Sequence, residues 1–182
     1  MNAPTALVLL YEGVEEMEAV APIDLLRRAG VTVTTASPGA SVDLIGRNAI
    51  RLSADSLLKD SADQEFDMVV LPGGPGHADL LDNQQVLDLL KKQASSDKWL
   101  ASICAGPVVL NKAGLLDGKT FTSFPGTQEQ LPSRDPTGKV VRDGKLITSQ
   151  GAGTAREFAL ELVDALCGSK MAGEIAASIC AT

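Results

Sequence analysis

Short apolar segments alternate with longer amphipathic segments along this chain. The run from Thr5 to Tyr11 is almost continuously apolar, which is typical of a strand buried on both faces. From Glu15 to Ala29 the apolar residues recur at helical spacing, and Gly30 ends the pattern. Pro22 lies inside it and predicts either a kink or the first turn of the helix. The same patterns predict strands at 31–36, 42–52 (an irregular pair), 67–71 and 99–103, a hairpin at 140–147, and helices at 80–95, 105–113, 154–166 and 171–179.

Strands that alternate with helices predict an α/β fold with a doubly wound, mostly parallel sheet and helices on both faces. The length of 182 residues suits a single domain over residues 1–182. Right-handed crossovers bring the carboxyl ends of parallel strands to one edge of the sheet, and ligands bind outside that edge. The residues that follow each strand are therefore the first candidates for function.

Four loops that follow predicted strands are rich in glycine and in reactive side chains. They are Glu12–Glu18, Pro72–His77, Cys104–Pro107 and Gln150–Thr154. Glycine allows positive φ and lets the backbone approach a ligand closely. Each glycine taken alone is also explained as an ordinary turn residue. The coincidence of these glycines with a cysteine and an acidic segment favours a functional site.

Cys104 lies between an apolar strand and a predicted helix start, the place of the nucleophile in a strand–nucleophile–helix elbow. Two small residues and a proline follow it, as a tight turn into a helix requires. The helix dipole and the free N–H groups there predict a thiolate with a lowered pKa and a place to hold an oxyanion. The alternative is a small buried hydrophobe, which is the interpretation we favour for Cys167 and Cys180.

A thiol nucleophile usually needs a base and a group that orients it. The only histidine, His77, lies in a glycine-rich loop, where it can face either the pocket or solvent. Glu15 and Glu18 are three residues apart on one face of the first helix, and Glu16 points elsewhere. A carboxyl next to Cys104 holds its proton more readily because carboxylate and thiolate repel each other. It could then donate a hydrogen bond and move protons, although acidic residues in a first turn also complement the helix dipole.

Composition excludes several classes of function. The net charge of −7 and the isoelectric point near 4.7 disfavour nucleic acids and anionic membranes as partners. One histidine and three scattered cysteines do not form a zinc motif, and the usual nucleotide-binding motifs are absent, so we expect neither metal nor cofactor. No apolar run is long enough to span a bilayer. The odd cysteine count and the lack of a visible secretory signal predict a reducing, cytoplasmic location.

Four motifs taken together resemble the ThiJ/PfpI superfamily. They are Glu15–Gly30, Leu71–Gly74, Ile103–Pro107 and Thr148–Thr154, and their order and spacing agree with that superfamily over nearly the whole chain. Within it the sequence is similar to the branch of the parkinsonism-associated deglycase (the DJ-one type) and its bacterial relatives. The resemblance implies a flavodoxin-like domain with a nucleophile elbow, which forms a homodimer and acts on a small carbonyl compound.

The resemblance also implies roles for individual residues. Cys104 would be the reactive nucleophile, and Glu18 the protonated carboxylic acid in contact with it. The backbone N–H groups of Gly74 and Ala105 would form an oxyanion pocket. The remaining candidates are Gly73 and Glu15 in the pocket lining, together with Arg28 and Arg47 near the dimer interface, where Arg47 would reach toward the partner's site.

The activities of the superfamily give three hypotheses for function. The first is a glyoxalase or protein deglycase, a lyase or hydrolase that converts methylglyoxal to lactate without glutathione. The second is a redox-sensing stress protein or chaperone whose elbow cysteine is oxidised to sulfinate. The third is a cysteine-dependent amidase or protease. Many members have a histidine where this chain has Phe124, which cannot accept a proton, so the third hypothesis is disfavoured.

We therefore expect an enzyme in which Cys104 attacks the aldehyde of a small 2-oxoaldehyde and Glu18 moves a proton between the two carbons. A member that binds without catalysis, having lost its activity with the histidine, ranks lowest because Cys104, Glu18 and the glycines remain together.

Overall fold

The computed structural model describes residues 3–61 and 64–181, and a seven-stranded sheet runs through its centre. All neighbouring strands are parallel except the last pair, which is an antiparallel hairpin at one edge. The predicted mostly parallel α/β architecture is confirmed. The sheet contains β1 (Thr5–Leu9), β2 (Thr32–Ser37), β5 (Ser56–Leu57), β6 (Met68–Leu71), β7 (Trp99–Ile103), β8 (Val140–Asp143) and β9 (Leu146–Ser149) in the order β5-β2-β1-β6-β7-β9-β8, while β3 (Asp43–Ile45) and β4 (Arg51–Ser53) form a separate antiparallel pair.

The residues that the structure describes form six α-helices, which fall into two groups by their contacts. They are α1 (Glu16–Arg28), α2 (His77–Leu80), α3 (Gln84–Ser95), α4 (Gly106–Lys112), α5 (Ala155–Cys167) and α6 (Ser169–Ser178). Helix α5 contacts α1 and α6, whereas α4 contacts α2 and α3. In residues 3–61 and 64–181, no helix is both long and apolar enough to cross a membrane.

One helix prediction needs correction, and one of the two alternatives for Pro22 is excluded. The pattern at 80–95 predicted one helix, but Leu80 is the last residue of α2, and α3 begins only at Gln84. The side chain of Asn83 accepts a hydrogen bond from the Val86 N–H (3.2 Å) and so caps a separate helix. Pro22 does not mark the first turn, since α1 begins at Glu16 and continues through the proline. Prediction also missed β5, a two-residue edge strand too short to have a pattern.

The four central strands explain why their sequences are nearly continuous apolar runs. Strands β6, β7 and β9 are buried along their whole length, and β1 is buried except at its first residue, because helices cover both faces of the sheet. These four strands are neighbours in the order β1-β6-β7-β9. Their carboxyl ends therefore bring the four glycine-rich loops together at one edge.

Candidate active site

Cys104 occupies a strained turn between β7 and α4. Its φ is 63°, in the left-handed region that residues with a side chain rarely adopt. Neighbouring backbone holds it there: the Cys104 N–H donates to the carbonyl of Ser149 (3.0 Å), and its own carbonyl accepts from the Phe124 N–H (2.8 Å). The predicted nucleophile elbow is therefore present, but the side chain is buried rather than exposed.

Glu18 projects from the first turn of α1 into the same edge of the sheet. Its side chain is almost completely buried, and Oε2 accepts a hydrogen bond from the Gly73 N–H (2.9 Å). Oε1 is buried as well and accepts no hydrogen bond from any residue that the structure describes. Buried polar atoms almost always have a partner, and the side chain of the chain that interacts with this carboxyl is the Cys104 thiol.

Gly73 is the point at which three of the loops meet. A Cβ at this position would lie 2.6 Å from Cβ of Cys104, 2.7 Å from Oε2 of Glu18 and 2.8 Å from the backbone nitrogen of Ala105. Only glycine allows the β6 loop to pass between the thiol and the carboxyl at these distances. The structure thus brings together the predicted residues Cys104, Glu18, Gly73 and Ala105.

Glu15 and Glu16, which precede Glu18 in the same loop, have separate roles. Glu15 caps α1, since its Oε2 accepts a hydrogen bond from the Glu18 N–H (2.8 Å). It thereby fixes where α1 begins and holds the backbone of Glu18 in the first turn. Glu16 turns toward the β3–β4 connection, where its carboxylate accepts from the N–H (2.7 Å) and the amide nitrogen (2.8 Å) of Asn48. Burial opposes ionisation, but hydrogen bonds from its own backbone, Asn48 and Ile50 hold the pKa of Glu16 below its usual value. Glu16 points away from the site, as predicted.

The electrostatics of Cys104 contradict the prediction of a lowered thiol pKa. Burial, followed by the charge of Glu18 and the interaction between the two side chains, raises the pKa of Cys104 to about 12. The N–H groups of Ala105 and Gly74 act in the opposite direction but are outweighed. The sequence correctly predicted that the N–H groups lower the pKa of the thiol. The sequence does not show how strongly burial, and the carboxylate that packing places beside the thiol, raise this pKa.

Glu18 is shifted in the direction that the sequence predicted. Burial raises its pKa to about 7, while its interaction with the Cys104 thiol and the hydrogen bond from Gly73 oppose the shift. Because the two groups interact strongly, the values belong to the pair: it loses one proton near pH 7 and the second only near pH 12. Between these limits the favoured form is a Glu18 carboxylate beside a Cys104 thiol, and transfer of the thiol proton to the carboxylate gives the thiolate.

Tyr11 is a part of the site that sequence reasoning missed. Its buried hydroxyl hydrogen-bonds the carbonyls of Pro72 (2.7 Å) and Gly73 (2.9 Å), so it fixes the turn that passes between thiol and carboxyl. Burial, then the charges of Glu18 and Cys104, raises its pKa well above the usual value, so the phenol stays protonated. Its place as the last residue of a predicted buried strand was the signal that the sequence offered.

The three remaining candidates lie farther from the pair. His77 is half-buried at the start of α2, and its Nδ1 is 2.9 Å from the carbonyl of Gly74, so its ring is held by its own loop. Arg47 is exposed, but its positive charge is near enough to lower the pKa of Glu18. Arg28 forms an exposed ion pair with Asp24 (2.8 Å) on α1.

The other two thiols are remote from these loops. Cys167 ends α5, is half-buried and has a raised pKa because of burial. Cys180 is exposed, so the expectation of a buried hydrophobe is wrong for it. Among the described residues, no three histidine, cysteine, aspartate or glutamate side chains form a group that could hold a metal ion.

Comparison with known proteins assigns the chain to a family. The family model described as "DJ-1/PfpI family" matches residues 4–165. Protein dj-1beta of Drosophila melanogaster is 41% identical over 178 residues, covering 94% of each chain, and the crystal structure of Drosophila melanogaster DJ-1beta superposes with a TM-score of 0.94 over 98% of each chain. A Caenorhabditis elegans protein named glutathione-independent glyoxalase DJR-1.2 is 32% identical, covering 97% of this chain and 96% of its own.

The chain therefore belongs to the DJ-1/PfpI family. The family resemblance inferred from the four motifs is confirmed, and so is the α/β fold that it implied.

Proposed function

We propose that this protein is a cysteine-dependent, glutathione-independent glyoxalase that acts on small 2-oxoaldehydes such as methylglyoxal. We propose that it is also a protein deglycase, which removes the adducts that these compounds form with proteins. The observation that carries the proposal is the buried Cys104 thiol beside the buried Glu18 carboxyl, with the backbone of Gly73 packed against both. The relative named as a glyoxalase supports the same activity. The conversion is an internal redox reaction, so it needs neither an external oxidant nor a cofactor.

The pair can supply each step of that conversion. The Cys104 thiolate adds to the aldehyde carbon, and the aldehyde oxygen takes up the proton held by Glu18 to give a hemithioacetal. The Glu18 carboxylate then removes the hydrogen of that carbon as a proton, which gives an enediol, and returns this proton to the neighbouring carbon. The proton of the hemithioacetal hydroxyl passes to the former keto oxygen in the same rearrangement, so that the ketone becomes an alcohol and the carbon bonded to sulfur becomes the carbonyl of a thioester. Water cleaves the thioester, releasing lactate and the thiol. The N–H groups of Gly74 and Ala105, which act on the sulfur, are placed to stabilise the oxyanions of addition and hydrolysis.

The direct test is turnover by the purified wild-type protein without glutathione. The proposal expects many equivalents of lactate per protein from methylglyoxal, measured by an enzyme-coupled assay or by NMR. Consumption of one equivalent of methylglyoxal per protein, with no lactate, would mean that the thiol binds the aldehyde without catalysis.

Oxidation of Cys104 is a second candidate function, and the free Oε1 of Glu18 favours it. A sulfinate at Cys104 would offer an oxygen to that protonated carboxyl and others to the nearby N–H groups. Mass spectrometry after mild peroxide treatment should then show two added oxygens on Cys104 before any on Cys167 or Cys180. Equal oxidation of all three thiols would count against a sensor built around this site.

A cysteine protease or amidase fits the site least well. His77 is the only imidazole in the sequence, and its Nδ1 is held at the carbonyl of Gly74. Phe124 occupies the position where many members have a histidine, and its N–H is bonded to the carbonyl of Cys104. The proton carrier that remains beside the thiol is Glu18, which suits a carbonyl substrate better than a poor amine leaving group.

We further propose that the protein is a homodimer through the outer face of α1. Met17 and Val20 of this helix, together with Ile50 of the β3–β4 connection, are large apolar residues that are 46–59% exposed. Such exposure is typical of a surface that a second copy covers. Sedimentation equilibrium should give a dimer for the wild type and a monomer for Val20→Asp; a monomeric wild type would contradict this.

The three free thiols support a reducing compartment such as the cytoplasm.

A further inference from the structure

Gly151 leaves an open space beside the reactive pair. A Cβ at this position would lie 3.6 Å from Cδ2 of Phe124, 3.8 Å from Oε1 of Glu18 and 3.9 Å from Sγ of Cys104. All three distances are ordinary van der Waals contacts, so the thiol, the unpartnered carboxyl oxygen and the aromatic ring border a common space that can hold a carbon atom. The three groups differ in chemistry: one is nucleophilic, one polar and one apolar.

Phe124 is an unusual residue to find at that border. It is large, apolar and 48% exposed, yet its backbone is fixed at both ends. Its N–H donates to the carbonyl of Cys104 (2.8 Å), and its own carbonyl accepts from the N–H (3.0 Å) and the hydroxyl (2.8 Å) of Thr127. The backbone from which the ring projects is therefore held in a fixed relation to Cys104.

A buried arginine supports the same segment. Arg134 donates to the carbonyl of Ser123, directly before Phe124, from Nη2 (2.9 Å) and Nε (3.2 Å). Burying a guanidinium is costly unless it is well bonded, so its use to hold a backbone carbonyl indicates that the position of this segment matters. A rigid backbone and an exposed ring together suggest a wall against which a ligand packs.

We propose that Gly151 and Phe124 determine which 2-oxoaldehydes the site accepts, favouring those with an uncharged, apolar substituent on the keto carbon. This inference rests on the proposed function and specifies its substrate class. The missing Cβ of Gly151 leaves room for the carbons next to the thiol, and the Phe124 ring offers the substituent an apolar surface. An anionic substituent would instead meet an aromatic face on one side and the Glu18 carboxyl on the other, so it is disfavoured.

The first test uses the two glycines of one loop. Gly151→Ala places a methyl group in the space without backbone strain, because φ of Gly151 is 162°, an extended value that any residue adopts. Gly153→Ala is the matched control, since nothing lies within 4 Å of a Cβ there. We expect Gly151→Ala to lower kcat/KM for methylglyoxal by about tenfold or more and Gly153→Ala to behave as wild type. Equal activities of the two variants would overturn the role of Gly151.

The second test does not depend on turnover. Cys104 is alkylated with phenacyl bromide, which carries an aryl ketone, and with iodoacetamide, which has no apolar group. We expect Phe124→Ala to lower the ratio of the two alkylation rates by about tenfold, whereas Phe124→Tyr keeps the wild-type ratio. An unchanged ratio in Phe124→Ala would overturn the role of Phe124.

These outcomes separate the inference from the proposed function. If the wild type forms no hydroxyacid from any 2-oxoaldehyde, the proposed function fails, but the alkylation ratio still reports whether Phe124 selects apolar groups. If turnover is found and the kcat/KM ratio of phenylglyoxal to glyoxal is the same in wild type and Phe124→Ala, the function stands and the selectivity is wrong.

Discussion

Replacing Cys104 with alanine will reduce lactate formation from methylglyoxal to the uncatalysed background, a loss of at least about 10³-fold. The variant loses the thiol that lies next to Glu18, and with it the hemithioacetal on which every later step depends. The fold should survive, because alanine and cysteine both have a Cβ and meet the same strain at φ 63°. The measurement is the initial rate of lactate formation at equal concentrations of folded protein.

Cys180→Ala is the matched control for this variant. Cys180 is exposed and lies after the last helix, so its removal should leave the rate unchanged. Substantial lactate formation by Cys104→Ala would show that the reaction does not pass through this thiol.

Replacing Glu18 with glutamine will lower kcat by about 10²–10⁴-fold, the usual contribution of a positioned general acid or base. Glutamine has the same shape, and its amide oxygen can still accept the Gly73 N–H, but it cannot give up or take a proton. The initial attack should therefore survive while the proton transfer between carbons fails. The informative measurements are kcat for methylglyoxal and the rate at which iodoacetamide alkylates Cys104.

Glu12→Gln is the control for Glu18→Gln. Glu12 lies in the same loop, but it is exposed, and its carboxylate accepts from the Ile45 N–H (2.9 Å), which a glutamine oxygen can also do. If Glu18→Gln turns over at the wild-type rate, Glu18 only positions the thiol and another group moves the proton. If both turnover and alkylation are lost, the substitution has disturbed the elbow itself.

The edge of the sheet at which the site lies was predictable because the central strands are buried on both faces. Burial of that kind leaves continuous apolar runs in the sequence, and the residues after each run are then brought together by parallel topology alone. Cys104, Glu18 and Gly73 were identified in this way. The short strand β5 and the break at Asn83 were not, because a two-residue edge strand has no pattern and a side-chain cap competes locally with an otherwise helical sequence.

The proton distribution of the site was only half predictable. The raised pKa of Glu18 was predicted in direction but not in cause: the sequence argument relied on repulsion from a thiolate, whereas burial raises the pKa and the interaction with Cys104 opposes the shift. The pKa of the Cys104 thiol was predicted to be lowered, but it is raised. This pKa depends on how fully the loops exclude water from the thiol, and only the packing of the loops determines that. The space at Gly151 was missed for a similar reason: the sequence shows a glycine in a loop, and only the structure shows which three side chains face it.

The central claim is that Cys104 and Glu18 act as one acid–base unit, and the pH dependence of kcat/KM for methylglyoxal tests it most directly. Below the first pKa of the pair both groups are protonated and no nucleophile exists, so activity must rise as pH rises through about 7. We predict a tenfold increase per pH unit below this value and a plateau above it, since the second proton leaves only near pH 12. A profile that is flat from pH 5 to 9, or that falls as the pH rises through 7, would contradict the account.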